Sequence, residues 1–152
     1  MWHLIIEVIS DIILINMVND TSKILINKKI LVVEDDVLFA KLLSNRFDAI
    51  GCSYTVVTNG EDAVVEINKT LPDVLILDLM LPGSMNGFDV LEKIKSNEET
   101  KHVPVIIVSN LGEMKDIEKG MSLGAFRYLV KALVTIEEII ENIGSAVVSS
   151  IK

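Results

Sequence analysis

Four short apolar runs of this chain each lead into residues that can do chemistry. Lys29–Val33 (KILVV) runs into Glu34-Asp35-Asp36, and Val74–Leu77 runs into Asp78. Val105–Val108 is followed by Ser109, and Phe126–Val130 by Lys131. Carboxylates brought together at neighbouring strand ends repel one another unless a cation lies among them. Hard oxygen ligands in this number suit Mg2+, which prefers octahedral geometry and keeps several waters. With Mg2+ bound, one carboxylate can attack a phosphoryl group while the metal and Lys131 neutralise its oxygens. Ser109 can donate a hydrogen bond to the third oxygen. Each residue taken singly has a plainer role. Asp36 suits a helix N-cap, Glu34-Asp35 a solvated turn, Asp78 a loop cap, and Ser109 and Lys131 the surface. Their joint placement at four strand ends is what points to a phosphoryl-acceptor site.

That placement depends on the elements between them. Continuous apolar runs of this length suit strands buried on both faces of a parallel sheet, and Tyr54–Val57 is a fifth such run. Helical patterns separate them. Val37–Ile50 puts Phe39, Leu43, Phe47 and Ile50 on one stripe, and Glu61–Leu71 follows an Asn59-Gly60 turn and stops at Pro72. Phe88–Lys95 follows Asn86-Gly87, and Met114–Leu123 ends at Gly124, a left-handed C-cap. Thr135–Ile151 opens with Thr135 as cap and Glu138 closing a capping box. The expected fold is α/β: a (βα)5, doubly wound, parallel five-stranded sheet with right-handed crossovers and helices on both faces. Strand order 2-1-3-4-5 is the leading choice, although periodicity alone does not fix it. In such sheets the ligand lies beyond the carboxyl ends of the strands, at the switch between strands 1 and 3.

Composition narrows the remaining classes. The chain has 152 residues, half of them hydrophobic, so an ordinary core is easily built and disorder is excluded. A net charge of −8 argues against nucleic-acid binding through a basic face. One cysteine, Cys52, excludes a disulfide framework and a cysteine-based zinc site, and a cytoplasmic setting is the default. Two histidines, His3 and His102, are too few and too far apart for a His-rich metal site. Met1–Val18 (MWHLIIEVISDIILINMV) is strongly apolar but lacks the positive start and cleavage site of a secretory signal. Glu7 and Asp11 interrupt it, which speaks against stable membrane insertion. His3, Glu7, Ser10 and Asp11 fall near one helical face, so an amphipathic helix that packs on a partner or a second subunit is one reading. The other is that translation begins at Met17. Asn19–Lys29 is expected as a polar lead-in. The division expected is thus an extension over 1–27 and one domain over 28–152.

Ile30–Asp36 (ILVVEDD), Val74–Gly87 (VLILDLMLPGSMNG), Val105–Ser109 (VIIVS) and Ala125–Lys131 (AFRYLVK) resemble the signature segments of response-regulator receiver domains, a flavodoxin-like fold. The resemblance extends over about Lys28 to Ile151. It implies Asp78 as phosphoacceptor, Glu34 and Asp35 as the acidic pair, and the backbone carbonyl of Met80 as a further Mg2+ ligand beside Asp78. It implies Ser109 as the switch hydroxyl, Tyr128 as the switch aromatic and Lys131 as the phosphate-binding lysine. The phosphodonor would be a phosphohistidine on a sensor histidine kinase or phosphotransfer protein of a two-component system or phosphorelay. Phosphorylation would draw Ser109 inward, admit Tyr128 to the space it leaves, and alter the face made by the fourth helix, fifth strand and fifth helix of the repeat. A downstream effector protein would read that face. The protein would catalyse only its own phosphorylation and dephosphorylation. It would act alone, with no DNA-binding output domain, and the opening segment is a candidate for homodimer contacts.

Three departures from the family pattern stand out. Ala132 follows Lys131 where the family usually has proline after a cis peptide. The loop Leu81–Gly87 is one residue longer than usual, placing Ser84 near the acceptor. Asn110 follows Ser109 where a small residue is common. A haloacid-dehalogenase-type phosphatase would need a second aspartate two residues after Asp78, where Met80 stands. A flavin-nucleotide binder would need phosphate donors where Glu34-Asp35-Asp36 would repel the phosphate. The remaining alternative is a phosphorylation-independent, receiver-like binding module. Ala132 favours it, and the intact Glu34, Asp35, Asp78, Ser109 and Lys131 set argues against it.

Overall fold

The computed structural model describes residues 1–151. Its elements are α1 (Trp2–Leu25), β1 (Lys29–Val33), α2 (Val37–Ile50), β2 (Ser53–Val57), α3 (Gly60–Thr70), β3 (Val74–Leu77), α4 (Gly87–Ser96), β4 (Val105–Ser109), α5 (Met114–Ser122), β5 (Arg127–Val130) and α6 (Ile136–Ser150). One turn of 3-10 helix, Lys131–Leu133, joins β5 to α6. The five strands form one parallel sheet in the order β2-β1-β3-β4-β5. The doubly wound expectation therefore holds, with the order reversing between β1 and β3.

Burial explains why the strands were legible. All of β3 and β4, and β1 after Lys29, are buried, while the edge strands β2 and β5 are half-exposed. The helices on the two faces of the sheet cover two separate apolar clusters. One gathers Ile30, Val32, Ile76 and Ile106 with Leu43 and Phe47 of α2 and Ile140 and Ile143 of α6. The other gathers Leu31, Leu75, Leu77 and Ile107 with Ala63 and Ile67 of α3 and Val90, Leu91 and Ile94 of α4. Alternate strand residues thus point to opposite faces, as the pleat demands.

The helix ends carry their own chemistry. Asp36 accepts the Leu38 and Phe39 N–H groups at 2.9 and 3.1 Å and starts α2. Asn86 and Asp89 form a capping box on α4, as Thr135 and Glu138 do on α6. Gly124 follows α5 at φ +99°, the left-handed conformation expected there.

The amino-terminal region differs from the expectation. The stretch expected as a polar lead-in is helical as far as Leu25, and Leu25 is fully buried among the residues under α2 and α6. Burial of Leu25, with Ile24 packed beside it, outweighs the weak helix preference of Asn19, Asp20, Thr21 and Ser22. Nearer the amino terminus Met1–Ile13 are all exposed, so the chain itself does not cover this part of the helix. No helix among the described residues is long and apolar enough to cross a membrane.

Candidate functional site

Parallel pairing sets the carboxyl ends of β1, β3, β4 and β5 side by side. Val33 lies opposite Leu77, Leu77 opposite Ile107, and Ser109 opposite Val130. The next residue along each chain therefore enters one shared space: Glu34 after β1, Asp78 after β3 and Lys131 after β5. Ser109, the last residue of β4, borders it.

Glu34, Asp35 and Asp78 each place a carboxylate oxygen within 4.8 Å of the other two. Glu34 and Asp78 are 3% and 5% exposed, whereas Asp35 opens to solvent. Lys131 bridges the two buried carboxylates, its Nζ 2.7 Å from Glu34 Oε2 and 3.2 Å from Asp78 Oδ2. The remaining carboxylate oxygens are also used. Glu34 Oε1 accepts the Asp36 N–H at 2.8 Å, and Asp78 Oδ1 accepts the Met80 N–H at 3.1 Å. Every residue of the expected acidic set and Lys131 thus converges. Asp36, kept as a helix cap, does not join the cluster.

Electrostatics follow from this crowding. Burial pushes the Glu34 carboxyl above the usual carboxylate range, against the pull of Lys131 and the Asp36 N–H. Burial alone would lower the Lys131 ammonium. The hydrogen bond it donates to Glu34 and the field of Asp78 outweigh it and leave Lys131 above the ordinary lysine value. One ammonium thus faces two carboxylates, with a third at the rim. That imbalance is what a divalent cation would neutralise, and the donors are the hard oxygens Mg2+ prefers.

Lys131 reaches this position without the family's cis peptide, since every described peptide bond, Lys131–Ala132 included, is trans. Two contacts guide it. Glu34 holds the ammonium, and the Phe39 ring lies beneath it, 4.6 Å from Nζ to the centroid. Phe39 looked like one more residue of the apolar stripe on α2. Its position in the first turn, three residues after the Asp36 cap, was the available signal.

Ser109 is fully buried, and its hydroxyl accepts the Leu111 N–H at 3.4 Å. The Tyr128 hydroxyl donates to the Leu111 carbonyl at 2.7 Å. Burial, with Asp116 and Asp78 nearby, pushes the Tyr128 phenol up to about 12. Its ring fits because α5 has glycine beside it: a Cβ on Gly120 would lie 2.9 Å from Tyr128 Cδ2 and 2.7 Å from Ile107 Cδ1. Asn110 is exposed.

The long loop turns its extra residue onto α3. Ser84 Oγ donates to Glu61 Oε1 at 2.6 Å, and the Ser84 N–H donates to the same oxygen at 3.1 Å. Gly87 has a function the sequence did not suggest. A Cβ there would sit 2.3 Å from the Asp78 carbonyl oxygen, so only glycine lets the start of α4 close against the Asp78 backbone.

Residues 30–144 match the family described as response regulator receiver domain. The chain is 35% identical over 109 residues to the phosphate regulon transcriptional regulatory protein PhoB of Rhizobium meliloti (strain 1021), covering 72% of this chain and 48% of PhoB. The chain thus spans less than half the length of that curated relative. Among solved structures, the Francisella response regulator 1452 receiver domain matches with a TM-score of 0.73 at 29% identity, covering 81% of this chain and 98% of that one. The phosphorylated cyanobacterial phytochrome response regulator RcpA matches with a TM-score of 0.69 at 25% identity, covering 78% of this chain and 90% of that one.

Proposed function

The chain belongs to the response-regulator receiver family, and from that premise we propose that it accepts a phosphoryl group on Asp78 from a phosphohistidine of a sensor kinase or phosphotransfer protein. The observation that carries this reading is the buried pairing of Glu34 and Asp78 through Lys131, with Asp35 at the open rim. A simple ion pair needs one carboxylate for one ammonium, whereas here Lys131 faces two and a third lies beside them at the rim.

Glu34, Asp35, Asp78 and the backbone carbonyl of Met80 would hold Mg2+. The ion, when bound, supplies positive charge to the phosphoryl oxygens and to the acceptor carboxylate. The chain's own groups do the rest. An Asp78 oxygen attacks phosphorus, the P–N bond to the donor histidine breaks, and its electron pair returns to the imidazole. Lys131 leaves its bond to Asp78 and pairs with a phosphoryl oxygen. The chain therefore promotes only its own phosphorylation and dephosphorylation.

The output step uses Leu111. Ser109 and Tyr128 are both tied to that residue, one through its N–H and the other through its carbonyl. When the Ser109 hydroxyl turns to a phosphoryl oxygen, the Leu111 N–H loses its partner. The loop carrying the Tyr128 acceptor then resettles. The α5–β5–α6 face changes, and an effector protein reads it. The phosphate biases two existing arrangements and creates neither.

Purified protein exposed to a small-molecule phosphodonor with Mg2+ should gain one phosphoryl group by intact mass. The gain should vanish without Mg2+ and in Asp78→Asn. No adduct from any donor, cognate kinases included, would replace this reading with the phosphorylation-independent binding module.

A further inference from the structure

The arm formed by the outer part of α1 is the largest feature that the phosphoacceptor site does not explain. Met1–Ile15 hold ten large hydrophobic side chains in exposed positions, and the other described residues hold twelve. The helix has no side-chain N-cap, and the arm is rich in β-branched isoleucine, so it is not stable in water by its own propensity. A helix apolar around most of its circumference needs burial on more than one side. Its base is anchored. Leu25 is buried in the core, and α1 crosses α6 at Gly144, where a Cβ would lie 2.7 Å from Thr21 Cγ2.

Charge and length reduce the choice of what covers it. The arm carries Glu7 and Asp11, and no lysine or arginine precedes Lys23, so an anionic membrane surface would repel it. Glu7 and Asp11 also disfavour burial of the arm in hydrocarbon, and no helix among the described residues is long and apolar enough to cross a membrane. The spacing suits copies of itself. Ile5, Val8, Ile12 and Ile15 recur at intervals of three and four, the seam of a coiled coil, and all four are exposed. Ile6, Ile9 and Ile13 form a second such column beside it. His3, Glu7 and Ser10 fall on the opposite arc and Asp11 at the flank, so no acid sits on the seam. The area is within reach when more than the seam is covered, as in an assembly of three or four helices. At about 100 Å² of apolar surface for a fully exposed aliphatic side chain, the ten residues offer on the order of 600 Å² per copy. A standard interface uses about 800 Å² per partner, little more than half of it apolar.

We propose that α1 is a self-association element, through which copies of this chain pack their arms along the Ile5–Val8–Ile12–Ile15 seam. β-Branched residues at both seam positions favour three or four helices over two. This assembly stands apart from the phosphoacceptor chemistry and is tested on the unphosphorylated chain.

Light scattering on the full chain, coupled to size exclusion in the micromolar range, should give about two to four times the 16.8 kDa chain mass. Ile5→Asp/Ile12→Asp should return it to one chain mass with an unchanged thermal transition of the domain. Ser10→Asp, on the polar arc, should still associate. A monomeric wild type, or an oligomer that survives the double substitution, overturns the proposal. So does a monomer that floats with phosphatidylcholine vesicles, which would assign the arm to a lipid surface.

Discussion

At the carboxyl edge of the sheet, Glu34, Asp78 and Ser109 are polar and buried. Along the outer turns of α1, tryptophan, leucine and isoleucine are apolar and exposed. Both regions break the usual sorting of residues, in opposite directions. At the edge the buried polar groups satisfy one another, and no described buried side-chain nitrogen or oxygen lacks a partner. On the arm nothing within the fold covers the apolar surface. Under the function proposed above, the edge needs only a divalent cation and a phosphoryl donor. Under the proposed self-association, the arm is covered by other copies of the chain. Departures from local consistency of either kind mark where a protein meets its ligands.

The contrast can be broken first at Lys131. Lys131→Met would leave two buried carboxylates facing each other with no cation between them. Losing one partner of a buried ion pair costs about 3–5 kcal/mol, which urea unfolding in Mg2+-free buffer should detect. Added Mg2+ should restore part of it. A loss well under 1 kcal/mol would mean that water already compensates these charges.

The same test at the base of the arm is Leu25→Ala. Removing a fully buried leucine should cost about 2–5 kcal/mol and speed amide exchange through the last turns of α1. An unchanged unfolding midpoint would show that α1 is merely appended to the domain.

Gly120→Ala sharpens the edge itself. The added methyl meets Ile107 and the Tyr128 ring, so overpacking should cost about 1–3 kcal/mol and disturb the Tyr128–Leu111 hydrogen bond. A smaller effect than that of Leu25→Ala is expected because the neighbouring ring can shift.

The mildest perturbation is alkaline titration. Tyr128 is held at about 12, above the free phenol near 10. The folded state therefore keeps the proton more tightly than the unfolded chain. This contribution to stability is fully present below about pH 10 and is lost as the pH rises toward 12. A 295-nm titration of wild type minus Tyr128→Phe should isolate a transition near 12. A transition near 10 would place the phenol in water.

Most of the fold was legible because burial on both faces of a parallel sheet writes continuous apolar runs into the chain. The five strands lie where KILVV, YTVV, VLIL, VIIV and FRYLV predict them, within a residue at their ends. Helix starts were legible where a cap stands beside a stripe, as at Asp36, Asn86 and Thr135. The helical stretch from Asn19 to Leu25 was not legible. Its first five residues are polar, and its last two, Ile24 and Leu25, pack on a core assembled from residues far along the chain.

The same division runs through the site. Which residues could gather was determined by the sequence alone, since Glu34, Asp78 and Lys131 each follow directly on a strand, Ser109 ends one, and parallel pairing brings those ends together. Only the tertiary structure decided how they are held. Lys131 reaches Glu34 and Asp78 along a trans backbone over the Phe39 ring, Ser84 turns away to Glu61, and Gly87 lets α4 close on Asp78. Local patterns record what a residue's own element buries. Contacts between side chains separated by dozens of positions depend on the packing of elements, which no local pattern records.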